Sequence, residues 1–178
     1  LSFPFHSTSD TETILYGYIA YGSSVFAKLN GIFALAIYDT FTKELVIARD
    51  QFGVKPLYYY ANGDTFLFSS EMKSFASDDQ LDKTLDHSAL LNYIHFLWCP
   101  GPQTPFLHVK KLPPGHLLKM NLSVGKADCV IEQFYEIPYN GNRFEQSETN
   151  LIDELEHRLY TAVERQLQSD VPVGFFLS

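Results

Sequence analysis

Apolar residues recur at helical spacing over residues 9–29, where Ile14, Leu15, Tyr18, Val25, Phe26 and Leu29 fall roughly on one face, so the pattern predicts a helix there. Ser9 followed three residues later by Glu12 gives it a capping-box start, while Gly17 and Gly22 weaken its interior. Residues 31–38 form a continuous apolar run that reads as a strand buried on both faces. A polar turn over 39–43 and the segment 44–49 complete a hairpin with it. Residues 56–60 and 65–70 read as a second hairpin, with Asn62-Gly63 as a tight turn needing positive φ at both positions. A helix followed by antiparallel strands suggests an α+β layered domain.

Farther along, residues 86–96 read as a helix with Asp86 as N-cap. Residues 99–105 hold three prolines and a glycine and read as an extended loop. Leu112-Pro113-Pro114-Gly115 turns into a strand over 116–120. The polar stretch 137–147, with Pro138 and Gly141, reads as a linker. Leu151, Leu155, Leu159, Val163 and Leu167 then repeat every four residues, predicting a second long helix over 150–168. Residues 171–177 read as the start of a buried strand, which needs neighbours for its backbone groups.

Composition narrows the function classes. The chain has 178 residues, 46% hydrophobic and 15% aromatic, enough to bury a sizeable core. Its formal net charge is -8 and no run of Lys or Arg occurs, which argues against nucleic acid or an anionic membrane as partner. No stretch has the length of a membrane span, and residues 1–5 have no charged region or long apolar run of a signal peptide, so a cytoplasmic location is the default expectation. Cys99 and Cys129 form neither a disulfide framework nor a metal pattern and read as reduced thiols. His6, His87, His95, His108, His116 and His157 show no pairing at metal spacing, so no metal ligand is assigned. Trp98 reads as a core residue.

Three segments in order carry a family likeness. They are Asn30-Gly31-Ile32-Phe33-Ala34-Leu35-Ala36-Ile37-Tyr38-Asp39, then Ala48-Arg49-Asp50-Gln51-Phe52-Gly53-Val54-Lys55-Pro56-Leu57-Tyr58-Tyr59, then Ser69-Ser70-Glu71-Met72-Lys73. This series resembles the class II glutamine amidotransferase domain. Leu112-Pro113-Pro114-Gly115-His116 and the closing Ser169-Asp170-Val171-Pro172-Val173-Gly174-Phe175-Phe176-Leu177-Ser178 narrow the resemblance to the glutamine-hydrolysing asparagine synthetases. The same ending disfavours the purine-type and hexosamine-type amidotransferases.

The resemblance implies a fold: an incomplete N-terminal-nucleophile-type four-layer αββα sandwich, followed by the first helix and strand of an α/β nucleotide-binding domain. On this reading residues 1–136 are the later part of the amidotransferase domain, 137–147 a linker, and 148–178 the start of a truncated synthetase domain. It implies an activity for a full-length parent. Glutamine is hydrolysed through a thioester on an N-terminal cysteine. Ammonia is channelled to β-aspartyl-AMP made from aspartate and Mg-ATP, giving asparagine, glutamate, AMP and pyrophosphate. ATP and Mg²⁺ are the implied cofactors, and the family admits a homodimeric parent. Neither Cys99 nor Cys129 matches the nucleophile, so the 178-residue chain alone is expected to be inactive. Two alternatives stay open: a paralogue amidating a sugar or polymer precursor, and a catalytically inactive amidotransferase-like scaffold.

The resemblance also implies site residues. Asp10, in Thr8-Ser9-Asp10-Thr11-Glu12, matches the aspartate that pairs with the α-ammonium of bound glutamine; on pattern alone the favoured reading is a carboxylate complementing the positive end of a helix. Ser9 and Glu12 are assigned to capping. Leu177 and Ser178 match the strand end before the pyrophosphate loop and are the implied ATP contacts. Arg49, Glu71 and Lys73 match positions near the domain interface and tunnel. For Arg49 and Asp50 a structural ion pair or an Asx turn, with Gly53 meeting a backbone need, is the competing reading. Lys55, before Pro56, is assigned to structure.

Overall fold

In the computed structural model the described residues are 3–123, 129–139, 141, 145–167, 169 and 171–176. The chain divides into two compact units, Leu1–Ile137 and Pro138–Ser178.

The first unit opens with α1 (Asp10–Tyr21), whose N-cap Ser9 accepts the Thr11 amide at 3.2 Å. The cap is as expected, but the capping box is not. The Glu12 carboxylate takes the His6 and Ser7 amides at 2.9 and 2.7 Å, and the Ser7 hydroxyl as well. The Ser9 amide goes instead to the Ser7 hydroxyl at 3.2 Å. The expected single helix over 9–29 also fails. Gly22 adopts φ 57°, a conformation open to a residue without Cβ, and the chain continues as a 3-10 segment, Gly22–Lys28. The break turns Val25 and Phe26 into the core, while no residue of α1 is fully buried.

Two antiparallel sheets follow. One contains β1 (Ala34–Asp39), β2 (Glu44–Arg49), β6 (His116–Asn121) and β7 (Cys129–Gln133), in the order β1-β2-β6-β7. The other contains β3 (Tyr58–Asn62), β4 (Thr65–Ser69) and β5 (Val109–Lys111), in the order β4-β3-β5. Ala36, Ile47, Leu118 and Ile131 are register partners across the first sheet. β1 is half-exposed rather than buried on both faces, because it borders the first sheet among the described strands. The β3–β4 turn is shifted by one residue from expectation. Asn62 pairs with Thr65, so Gly63, at φ 58°, and Asp64 form the loop, and Asn62 does not have positive φ.

Strand alternation sorts the side chains into layers. Val46, Ala48 and Leu117 face Val25 and Phe26 on one side of the first sheet. Ile47 and Leu118 face Leu57, Tyr59 and Leu112 on the other, joining the two sheets. On the far side of the second sheet, Tyr60 and Val109 meet Phe75 of α2 (Lys73–Ser77) and Leu81. Ile47 and Leu118 are fully buried, each contributing about 2–3 kcal/mol. Helix α3 (His87–Phe96) has the expected N-cap: Asp86 accepts the Ala89 amide at 3.1 Å.

In the second unit, α4 (Glu148–Gln166) begins two residues before its expected start, with Ser147 accepting the Asn150 amide at 3.3 Å. Leu155, Leu159 and Val163 of its apolar stripe are exposed. The expected strand over 171–177 is absent from 171–176, where Val171, Phe175 and Phe176 lie open to solvent. An apolar run becomes a strand only where another strand takes its backbone groups, and no strand is present among the described residues of this unit.

Candidate functional site

The start of α1, the start of β1 and the segment after β4 meet around a cleft of about 520 Å³ lined by Asp10, Ile14, Phe33, Lys55, Ser70 and Glu71, among others. Each charged group arrives by a different local device. Asp10 is the first residue of α1, set by the Ser9 cap, and among the described residues its carboxylate accepts one hydrogen bond, a 3.5 Å contact from the Thr11 hydroxyl. The carboxylate is thus left available beside a helix N-terminus. Glu71 follows β4, where the Ser69 hydroxyl accepts its amide at 3.1 Å, and its carboxylate meets Lys73 at 2.5 Å. Both members of that pair are largely exposed, which limits its strength. Phe33, Ala34 and Leu35 supply an apolar wall. Two carboxylates and one ammonium against that wall suit a small zwitterion, whose own ammonium can meet Asp10 or Glu71.

Lys55 reaches the cleft through the loop after β2. Asp50, 1% exposed, organises this loop. Its carboxylate accepts the Phe52, Val54 and Lys55 amides at 3.1, 2.9 and 3.0 Å. Its carbonyl accepts the amides of Gly53 at 3.1 Å and Gly115 at 2.9 Å, and its own amide donates to the Phe33 carbonyl at 2.9 Å. The Arg49 guanidinium donates to the carbonyls of Lys55, Leu112 and Gly53 at 2.7, 2.7 and 2.6 Å. Burial pushes its pKa down, partly offset by the nearby Asp50 charge. Gly53 has φ 64°, and a Cβ there would lie 2.8 Å from Pro114 and 2.9 Å from Arg49. Of the two structural alternatives the contacts fit the Asx-type loop, tied to the Leu112-Pro113-Pro114-Gly115 turn, and not the ion pair: Arg49 and Asp50 form no salt bridge with each other among the described residues.

Of the residues singled out from the sequence, Asp10 and Glu71 come together at one cleft, and Lys73 joins them through its ion pair. Arg49 commits three of its five N–H donors to backbone carbonyls. Leu177 and Ser178 lie outside the described residues. Lys55 and Ser70 line the cleft although sequence reasoning gave neither a site role; no periodicity marks them, because a loop and a strand end bring them there. Trp98 is a correction: it is 58% exposed and not a core residue, since α3 ends in a left-handed Leu97 that turns the chain outward. Cys99 is buried, its thiol 3.5 Å from the Gln103 carbonyl, and neither cysteine is in a disulfide. Among the described residues no helix is long and apolar enough to cross a membrane.

Comparison with known proteins supplies the family. A model described as the glutamine amidotransferase domain matches residues 2–135. Glutamine-hydrolyzing asparagine synthetase 1 of Bacillus subtilis (strain 168) is 36% identical over 176 residues, which cover 99% of this chain and 27% of that protein. Glutamine-hydrolyzing asparagine synthetase 3 of the same organism is 34% identical over 179 residues, covering 98% and 28%. Amidase chyE of Penicillium rubens (strain ATCC 28089 / DSM 1075 / NRRL 1951 / Wisconsin 54-1255) is 30% identical over 184 residues, covering 99% and 25%. The chain thus spans about a quarter of the length of these relatives. With its antiparallel sheets and flanking helices, the chain belongs to the glutamine amidotransferase domain family.

Proposed function

We propose that the chain is the later part of the glutaminase domain of an asparagine synthetase, joined through residues 137–147 to the opening of an ATP-using domain at 148–178. One observation carries this reading: the family match ends at residue 135, whereas the likeness to the asparagine synthetases runs on over 98–99% of the chain. The packing order of helix, sheet, sheet and helix supports an incomplete N-terminal-nucleophile-type αββα sandwich.

In the complete protein, Asp10 accepts the α-ammonium of glutamine, with Glu71 at the same cleft. Neither cysteine serves as the nucleophile: Cys99 is buried and Cys129 lies in β7. Hydrolysis therefore needs a cysteine supplied from outside these 178 residues, and the chain alone is inactive. Leu177 and Ser178 are assigned to the approach of Mg-ATP. Ammonia passes to β-aspartyl-AMP, and the complete protein works in the cytoplasm on glutamine, aspartate and ATP. The test is an assay of the complete protein. Stoichiometric formation of asparagine, glutamate, AMP and pyrophosphate is expected, and glutamine hydrolysis with no amidation of aspartate would overturn the assignment of product.

A second reading has its own observation. The relative named an amidase matches 99% of this chain, so the likeness over 136–178 is shared beyond proteins named asparagine synthetases. An amidotransferase acting on another acceptor would show ATP-dependent glutamine consumption that aspartate does not stimulate.

A further inference from the structure

A second cavity, of about 450 Å³, lies in the first unit between the loop after β2, the loop after α3 and the end of β5. Arg49 and Lys111 both line it, as do the rings of Phe52, Tyr58 and Trp98. Its lining contains no carboxylate. Neither cation forms an ion pair among the described residues. The two cations have different duties. Arg49 is fixed by three backbone carbonyls and contributes a stationary charge. Among the described residues the Lys111 ammonium donates one hydrogen bond, to the Cys99 carbonyl, and it stands 5.9 Å from the centre of the Trp98 ring. An ammonium has three donors, so two of them remain for a ligand.

Phe52 and Trp98 are exposed and Tyr58 is half-buried; aromatic rings beside cations that form no salt bridge, in a concavity of ligand size, are a recognition arrangement in which the rings stack and the cations meet charge. We propose that this cavity binds a small organic anion with a flat ring, whose phosphate or carboxylate meets Lys111 and Arg49 and whose ring stacks on Trp98 or Tyr58. The site is separate from the Asp10 cleft: the two linings have no residue in common.

Trp98 is the chain's sole tryptophan, so its fluorescence reports directly on the cavity. The 178-residue chain would be titrated with AMP, 4-hydroxybenzoate, adenosine and inorganic phosphate. A saturable change with AMP or 4-hydroxybenzoate is expected; AMP alone would identify a phosphate source and 4-hydroxybenzoate alone a carboxylate source. Lys111→Gln should weaken the apparent affinity by about ten-fold, the loss of a charge-assisted hydrogen bond. Lys111→Arg should retain it, and circular dichroism verifies that both variants fold. Affinity rather than signal amplitude is compared, because Lys111 itself lies near the indole. The proposal is overturned if no ringed anion saturates, if adenosine binds as tightly as AMP, if phosphate alone matches the ringed anions, or if Lys111→Gln leaves affinity unchanged.

Discussion

Asp50→Ala probes the loop that carries Lys55 to the candidate cleft. The native carboxylate is 1% exposed and accepts three backbone amides at 2.9–3.1 Å. Removing it leaves those donors without an acceptor in a region that water reaches poorly. A stranded buried donor costs about 1–3 kcal/mol, so about 3–5 kcal/mol in total is expected once partial relaxation is allowed. The comparator is Asp39→Ala. Asp39 also accepts two amides, from Phe41 at 2.8 Å and Thr42 at 3.2 Å, but at an exposed turn where water can replace it. Its loss should cost much less than the loss of Asp50, because water replaces the lost acceptor. Urea unfolding of the chain, followed by circular dichroism, measures both. If Asp50→Ala moves the unfolding free energy by no more than Asp39→Ala does, the carboxylate is not the organiser of this loop.

Three further outcomes follow from local geometry. Asp86→Ala should destabilise the first unit by about 1 kcal/mol, the usual value of an N-cap, as measured by thermal unfolding. The Ala89 amide, chiefly, and the Lys110 charge hold the Asp86 carboxyl below its ordinary pKa. Its contribution should therefore be complete above the unfolded-state value of about 4 and drain away as pH falls through the lower folded-state value, a dependence that the alanine variant should lack. Gly53→Ala should lower the unfolding midpoint, because the new Cβ meets Pro114 and Arg49 below 3.0 Å at φ 64°. Lys73→Ala should leave stability within about 0.5 kcal/mol, because its pair with Glu71 is exposed.

The strand most visible in the sequence is the one whose apolar run is complete within a single segment. Residues 44–49 match β2 because Val46, Ile47 and Ala48 are buried whichever face they take. β5, β7 and α2 leave no clear signal in the sequence. β5 has three residues and β7 is mostly exposed, so neither carries a period; both exist because a neighbouring strand accepts their backbone groups. The apolar run 171–176 is the converse case, hydrophobic but without strand pairing. The caps Ser9 and Asp86 are legible because capping is local chemistry, whereas Ser147, which caps α4, falls in the stretch read as linker. The site was only half legible. Asp10 was found through a motif, but its meeting with Lys55 and Glu71 depends on contacts between distant segments that no spacing encodes.

The most direct test of the central claim is Asp10→Asn in the complete protein, with asparagine formation measured from glutamine and separately from ammonium. The substitution keeps the shape of the side chain and removes the charge that would hold the glutamine ammonium, an interaction worth about 1.5–3 kcal/mol. The account predicts a rise in the KM for glutamine of about ten- to a hundred-fold, with ammonium-dependent synthesis unchanged. Equal loss of both activities, or no change in either, would contradict the placement of glutamine at Asp10.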